Sequence, residues 1–353
     1  MPTKILSGIA FILFVQSCVS TSKLTTEKIK PSYVSDTVLA DSDDPAIWIN
    51  KSHPEKSIVL GTDKDDENGG VYTFTLQGEK IDSLCRLGLK RVNNVDIAYG
   101  LSIENKKIDI AVATERNARK LRVFSLPDMQ PIDGGGVRVF EDASDRFPMG
   151  IALYTRPSDG AIFAIVSAKS GPKQNNLYQY LLQGEANGKV KATLVRKFGN
   201  YSDKKEIEAI AVDNELGYVY YSDEQVGIRK YFADPEKGNE ELALFGKADF
   251  KEDHEGISIY KTNATEGYLV ISNQQENTFN IYSRQGDKNN LHQHSLLTKL
   301  NLSTNFSDGN DVTSISLPGY PHGLMVAMSD NKTFQFYDWQ PIANKFKLRI
   351  AEK

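Results

Sequence analysis

The sequence predicts an all-β fold, a six-bladed propeller of four-stranded antiparallel blades around an axial channel. Three observations carry that prediction. An acidic or polar residue opening a strand of alternating apolar residues recurs six times, at intervals of 47–59 residues, about the length of one propeller blade. Each copy is followed by an apolar strand ending in Ser or Thr, then by a polar turn and a returning strand ending in Tyr or Phe. Gly, Tyr, Phe and β-branched residues are abundant and long amphipathic helical runs are scarce, which argues against a helical fold.

The six openings are Asp44-Pro45-Ala46-Ile47-Trp48, Asp96-Ile97-Ala98-Tyr99, Met149-Gly150-Ile151-Ala152-Leu153, Glu208-Ala209-Ile210-Ala211-Val212, Glu255-Gly256-Ile257-Ser258-Ile259 and Asp311-Val312-Thr313-Ser314-Ile315. The second strands are expected at residues 58–62, 108–114, 162–167, 218–222, 268–272 and 324–329. The returning strands end at Tyr72, Phe124, Tyr180, Tyr231, Tyr282 and Phe336. Alternation on this scale is the mark of strands with one buried face.

Ahead of the repeats, Lys4 and the apolar run Ile5–Val15 form a targeting segment too short to span a bilayer. Val15-Gln16-Ser17-Cys18 resembles a bacterial lipobox. The expected organisation is therefore a signal peptide over 1–18 with lipidation at Cys18, a flexible tether over 19–32, and the propeller over 33–353. Such a chain would be an exported bacterial lipoprotein on the outer membrane or cell surface, a monomer touching the membrane only through its lipid. Without Cys18 the domain keeps one cysteine, Cys85, and so no internal disulfide. Cys85 and Arg91 spell the C-x5-R of cysteine phosphatases, but that chemistry needs a thiolate at a helix N-terminus. Strand-like sequence lies on both sides here, so Cys85 reads as structural. The formal charge of −4, with no basic stripe, argues against a nucleic-acid partner.

Function is expected on the turns, because equivalent positions of a propeller gather around one end of its axis. The first column reads Asp44, Asp96, Met149, Glu208, Glu255 and Asp311. The second, two residues past the strand-ending Ser or Thr, reads Lys64, Arg116, Lys169, Glu224, Gln274 and Asn331. A crowded acidic turn such as Asp41–Asp44 is more often solvated than functional; its recurrence sets it apart. Clustered carboxylates call for a hard divalent cation with oxygen ligands, to which calcium is suited. Lys and Arg beside such a cluster point to a metal-assisted phosphate site.

The segments Asp41-Ser42-Asp43-Asp44-Pro45-Ala46-Ile47-Trp48 and Asn93-Asn94-Val95-Asp96-Ile97 resemble the two signature motifs of the β-propeller (alkaline, calcium-dependent) phytases. The segments Asp253–Tyr260 and Phe306–Leu317 are similar to that family too, and the resemblance runs from about Tyr33 onward. It implies phytate hydrolysis of the 3-phytase type, several calcium ions lining the channel, and a higher-affinity phosphate site beside the cleavage site. By position it implies phosphate-gripping cations at Lys64, Arg116 and Lys169. Glu208, Glu224, Asp253 and Glu255 would hold the catalytic calciums, and Asp43, Asp44, Asp96, Asp308, Asp311 and Asn331 the remaining calcium and the channel. Lys64, Arg116, Lys169, Glu208 and Glu224 are the expected catalytic set.

Two positions depart from the family pattern. Ala98 stands where the second motif continues with Arg, and Met149 where the family has a Tyr that contacts metal or phosphate. A thioether is a poor partner for calcium or an oxyanion. Two rival readings follow. Calcium-dependent lactonases or phosphotriesterases on the same fold use one axial metal and need no column of three cations. A surface-anchored propeller that binds phosphorylated ligands or partner proteins without turnover would need only the binding half of the site.

Overall fold

The computed structural model describes residues 27–143 and 145–352. The predicted signal peptide, Cys18 and the start of the tether lie outside the described residues. Six four-stranded antiparallel sheets follow one another along the chain. The inner strands of blades 1–6 are Ser42–Trp48, Val92–Ile103, Pro148–Thr155, Ile210–Asp213, His254–Lys261 and Asn310–Thr313. The second strands begin with Ile58–Asp63 and end with Leu324–Ser329, each on the segment the repeat marks. The six-bladed propeller is as predicted, but the returning strands run on past the aromatics that mark them, to Phe74, Leu126, Gly184, Phe232, Ser283 and Asp338.

The structure gives a reason for both repeated residue types. Hydroxyls at the ends of second strands fasten one blade to the next. Thr62 donates to the Asn93 carbonyl (2.6 Å), Thr114 to that of Met149 (2.8 Å), Ser167 to Ile207 (2.5 Å) and Ser272 to Ser307 (2.6 Å). Ser222 bonds the His254 carbonyl in the same way. A neutral hydrogen bond of this kind contributes about 1 kcal/mol, and a small hydroxyl residue is what fits at a buried strand end. The aromatic ends of the returning strands do a second job. The hydroxyls of Tyr72, Tyr180 and Tyr231 accept backbone N–H bonds from Leu39, Phe140 and Asn200, which lie on the segments leading into those same blades. Phe124 and Phe336 keep the packing without that bond.

Apolar cores lie between neighbouring blades rather than at the axis. Val112, Val123, Ile151 and Val166 join blades 2 and 3, and Ile165, Phe198, Tyr221 and Tyr231 join blades 3 and 4. Burial at 25 cal/mol per Å2 is thereby spread around the whole ring, and the axis is free to carry polar groups.

Blade 6 is built from two distant parts of the chain. Its three inner strands come from residues 310–338, and its outer strand is Tyr33–Val34, paired with Phe336 and Gln335. Contacts begin before the expected boundary at residue 33: Ile29 bonds the Asn301 carbonyl (2.9 Å) and Ser32 that of Phe336 (2.7 Å). The expected tether therefore does not reach residue 32, because its last residues are fixed along blades 5 and 6. One α-helix is present among the described residues, Trp339–Phe346, capped by Asp338. Trp339 is fully buried and stacks on Tyr260 with ring centroids 4.0 Å apart. No described helix is long and apolar enough to cross a membrane.

Candidate functional site

The inner strands of blades 1, 2, 3 and 5 share a local irregularity. Ser42 pairs with Asp63 and Pro45 with Gly61, so one strand spends a residue more than its partner. Val92/Val95, Pro148/Ile151 and His254/Ile257 repeat it. Such bulges re-aim side chains at a strand end. Asp43, Asp44, Asn93, Met149 and Glu255 all lie within them, which is how an acidic turn becomes a ring of groups at one mouth. Gly150 and Gly256 are required by close approach of the next blade. A Cβ on Gly150 would stand 1.8 Å from the Glu208 carbonyl oxygen, and one on Gly256 2.5 Å from the Asn310 nitrogen.

At the mouth, groups from six blades form one polar network. Lys64 Nζ lies 2.5 Å from Asp308 Oδ2 and 3.5 Å from Asp43 Oδ1. Asn93 donates to Asp43 Oδ2 (2.9 Å) and to Glu208 Oε1 (3.4 Å), while its own oxygen accepts from Arg116 (3.4 Å). Lys169 is paired with Glu206, and Arg116 lies 3.8 Å from the same carboxylate. Lys205 reaches Asp253 (2.6 Å), Glu224 (2.9 Å) and Glu255 (3.7 Å). Gln274 bonds Asp308, and Gln225 and Gln275 bond Asp253.

Burial holds three carboxylates of the mouth above their ordinary range. Burial, then the charge of Glu208, pushes Glu224 up to about 8. Burial raises Glu255 well above its ordinary range, with Glu224 and Glu208 adding to it. Burial does the same to Asp43 despite the nearby Lys64. Asp253 moves the other way: burial works against it, but hydrogen bonds from Lys205 and Gln225 outweigh that. On the cationic side, Lys64 is raised, its burial outweighed by Asp43 and Asp308. Lys169 and Arg116 are lowered by burial and by neighbouring positive charge.

Two trios of carboxylates, Glu206/Glu208/Glu224 and Glu224/Asp253/Glu255, bring ligand oxygens within 4.8 Å of one another. Buried oxygens Asp43 Oδ1, Glu224 Oε1 and Glu255 Oε2 have no hydrogen-bond partner. An unpaired buried acceptor is costly, and an all-oxygen donor set with open lone pairs fits a hard divalent cation. These acidic clusters can hold a metal.

The first column of the repeat does not act as one set. Glu208 and Glu255 join the mouth, whereas Asp44, Asp96 and Asp311 accept backbone bonds from the next blade: Val95 N–H (3.2 Å), Leu153 N–H (2.6 Å) and Ile47 N–H (2.8 Å). Burial raises Asp96 to about 7 and Asp311 to about 6. Asp44 is raised well above its ordinary range too, by burial and by the Asp311 and Asp96 charges, although the Val95 bond opposes this. These three buried acids feel one another's charge and staple blades 6, 1, 2 and 3. Asn331 is exposed, its amide oxygen taken by Thr333 of its own turn, and it makes no hydrogen bond to the mouth. Met149 is 2 % exposed and gives its carbonyl to Thr114. Cys85 is followed by a strand, its thiol raised by burial and hydrogen-bonded to the Ile81 carbonyl. Sequence reasoning missed Lys205 and Glu206; the signal available was the charged run Lys204-Lys205-Glu206 just ahead of Glu208.

A family model described as Phytase matches residues 3–353. The chain belongs to the phytase family. Membership makes it an enzyme, a hydrolase of the phytase class. Among curated proteins, this phytase is 29 % identical over 323 residues to the 3-phytase of Bacillus subtilis (strain 168), covering 86 % of this chain and 80 % of that one. It is 23 % identical over 189 residues to the nonribosomal peptide synthetase ivoA of Emericella nidulans, a match that spans 52 % of this chain and 10 % of that protein. Among solved structures, the Dos1 propeller superposes with a TM-score of 0.43 at 10 % identity, over 84 % of this chain and 68 % of that one.

Proposed function

We propose that the chain releases phosphate from phytate by direct attack of water, with calcium as the metal and no covalent intermediate. What supports this reading is the opposition across one mouth of Lys64, Arg116 and Lys169, from blades 1–3, and Glu208, Glu224, Asp253 and Glu255, from blades 4 and 5. The Bacillus subtilis relative is a 3-phytase, and the same reaction class is proposed here.

Bound calcium would supply a water of lowered pKa and offset the negative charge of carboxylates and substrate. The chain's own groups do the rest. Arg116 and Lys169 orient the reacting phosphate by charge-assisted hydrogen bonds that strengthen as charge shifts onto its oxygens. Lys64, held between Asp43 and Asp308, adds a third positive charge with little freedom to move. Glu208, Glu224, Asp253 and Glu255 are the proposed ligands of the catalytic ions, with Asp43 and Asp308 beside them. Asp44, Asp96 and Asp311 are proposed to line the channel. Without a metal this acidic face would repel a polyanion.

The same proposal covers the chain's setting: export, lipidation at Cys18, display on the outer membrane or cell surface, and action as a monomer. The deciding experiment is phosphate release from phytate by the full chain, with calcium and with chelator, alongside Glu208→Gln. Calcium-dependent release that the variant loses supports the proposal; a folded protein that binds calcium but releases nothing would overturn it.

A further inference from the structure

The loop between the buried residues Tyr201 and Ile207 contains two adjacent residues of opposite charge. They are turned to opposite halves of the mouth. Lys205 places its ammonium among Asp253, Glu224 and Glu255 at 2.6, 2.9 and 3.7 Å. Those three carboxylates form one of the two trios able to hold a metal. Glu206 places its carboxylate against Lys169 and 3.8 Å from Arg116, the pair assigned above to the phosphate.

We propose that Lys205 and Glu206 are an internal stand-in for both ligands of the site, the ammonium occupying the place of a metal ion and the carboxylate that of a phosphate oxyanion. The inference rests on the calcium-dependent reading above. Within each half of the mouth charges of one sign are crowded together, and the loop supplies a countercharge at contact distance to each half. Its backbone is held at three successive residues: Tyr201 donates to the Lys205 carbonyl, the Glu224 N–H to that of Glu206 (3.2 Å) and Ser167 to that of Ile207 (2.5 Å). The Lys205 side chain is 35 % exposed. Its head group can therefore leave for water without unfolding anything.

Binding must break these contacts, so each residue weakens the affinity of the ligand it imitates. Because the backbone is held at both residues, each side chain answers to its own ligand: a cation displaces Lys205 and an oxyanion displaces Glu206. The structure offers Glu206 a competing role, since its carboxylate also lies in the trio with Glu208 and Glu224. As a metal ligand it would strengthen calcium binding rather than leave it unchanged.

The test is calorimetric titration of the full chain with calcium, then of the calcium-saturated protein with methylphosphonate, a soluble phosphate mimic that is not hydrolysed. Lys205→Gln should bind calcium about ten-fold tighter than wild type, as expected for removal of a close charged competitor. Lys205→Arg, which keeps the charge and controls for folding, should stay within about two-fold. Glu206→Gln should bind methylphosphonate about ten-fold tighter and calcium unchanged within about two-fold. Calcium affinity unchanged or weakened in Lys205→Gln overturns the proposal while leaving the metal reading intact. Weaker calcium binding in Glu206→Gln overturns it in favour of Glu206 as a ligand. Absence of calcium binding in wild type and every variant, all folded, overturns the metal reading and this inference together.

Discussion

Metal-free protein should lose stability as pH rises from 6.5 to 8. Glu224 is pushed up to about 8 and Asp96 to about 7, both mainly by burial. Unfolded, such acids ionise near 4. An acid whose folded pKa is raised contributes stability that is whole below the unfolded value and is lost as pH rises through the folded one. Each retained proton changes stability by about 1.4 kcal/mol per pH unit. Summed over this interval, Glu224 and Asp96 lose roughly 2 kcal/mol, or a fall in Tm of about 4 °C for a chain of this size. The interval matters. Burial, chiefly, holds His254 and His294 down at about 4 and Lys230 at about 8, so all three favour folding more as pH rises; the histidines act mainly below 6.5, and Lys230 offsets roughly 0.4 kcal/mol of the fall within the interval. The assay is thermal unfolding in chelator and in excess calcium at several pH values. With calcium the fall should vanish or reverse, because the ligands must be ionised to bind it. A Tm in chelator that rises between pH 6.5 and 8 would refute the idea that the mouth and channel hold protons in place of metal.

Three further outcomes are expected. Glu208→Gln should lower the rate of phosphate release from phytate at least 100-fold, the scale of losing a key electrostatic group, with Tm in chelator unchanged or higher; comparison of initial rates and melting curves checks both. Lys64→Met leaves Asp43 and Asp308 without their cation, so it should destabilise the metal-free fold by about 3 kcal/mol, read from urea midpoints in chelator. Gly150→Ala drives a methyl group into the Glu208 carbonyl and should weaken calcium binding by calorimetry more than it changes the circular dichroism spectrum.

How far the site could be read ahead of the structure depended on symmetry. Strand-ending Ser and Thr and the aromatic ends of the returning strands were visible because every blade repeats them, and each repetition answers one packing demand. The same symmetry could not sort Asp44, Asp96 and Asp311 from Glu208 and Glu255. A column of acids does not reveal which carboxylates are already engaged by backbone N–H groups and which have open lone pairs. Asn331 occupies the right place in its column, yet Thr333 two residues on offers its oxygen a local partner. Lys205 and Glu206 lay beyond this kind of reading altogether. Glu206 stands where blades 3 and 5 have Phe147 and Asp253, each giving its carbonyl to a residue of the second column. The residue type changes from blade to blade, and only the fold brings the carboxylates of blades 4 and 5 to Lys205 and the cations of blades 2 and 3 to Glu206.

The shared blade has a mechanical consequence. Blade 6 takes its outer strand, Tyr33 and Val34 against Phe336 and Gln335, from a distant part of the chain, which gives the ring a seam beside the core shared by blades 6 and 1. Residues 35–41 run from that outer strand directly to the inner strand of blade 1, where Asp43 stands beside Lys64 and Asp308. A pull at Glu27 would first peel Ile29 and Ser32, then the two-residue strand, then Ser35, Asp36 and Val38 from their partners, and only then draw on the turn that supplies those acids. The acidic mouth is thus the first part of the channel to feel a force applied at this side of the ring.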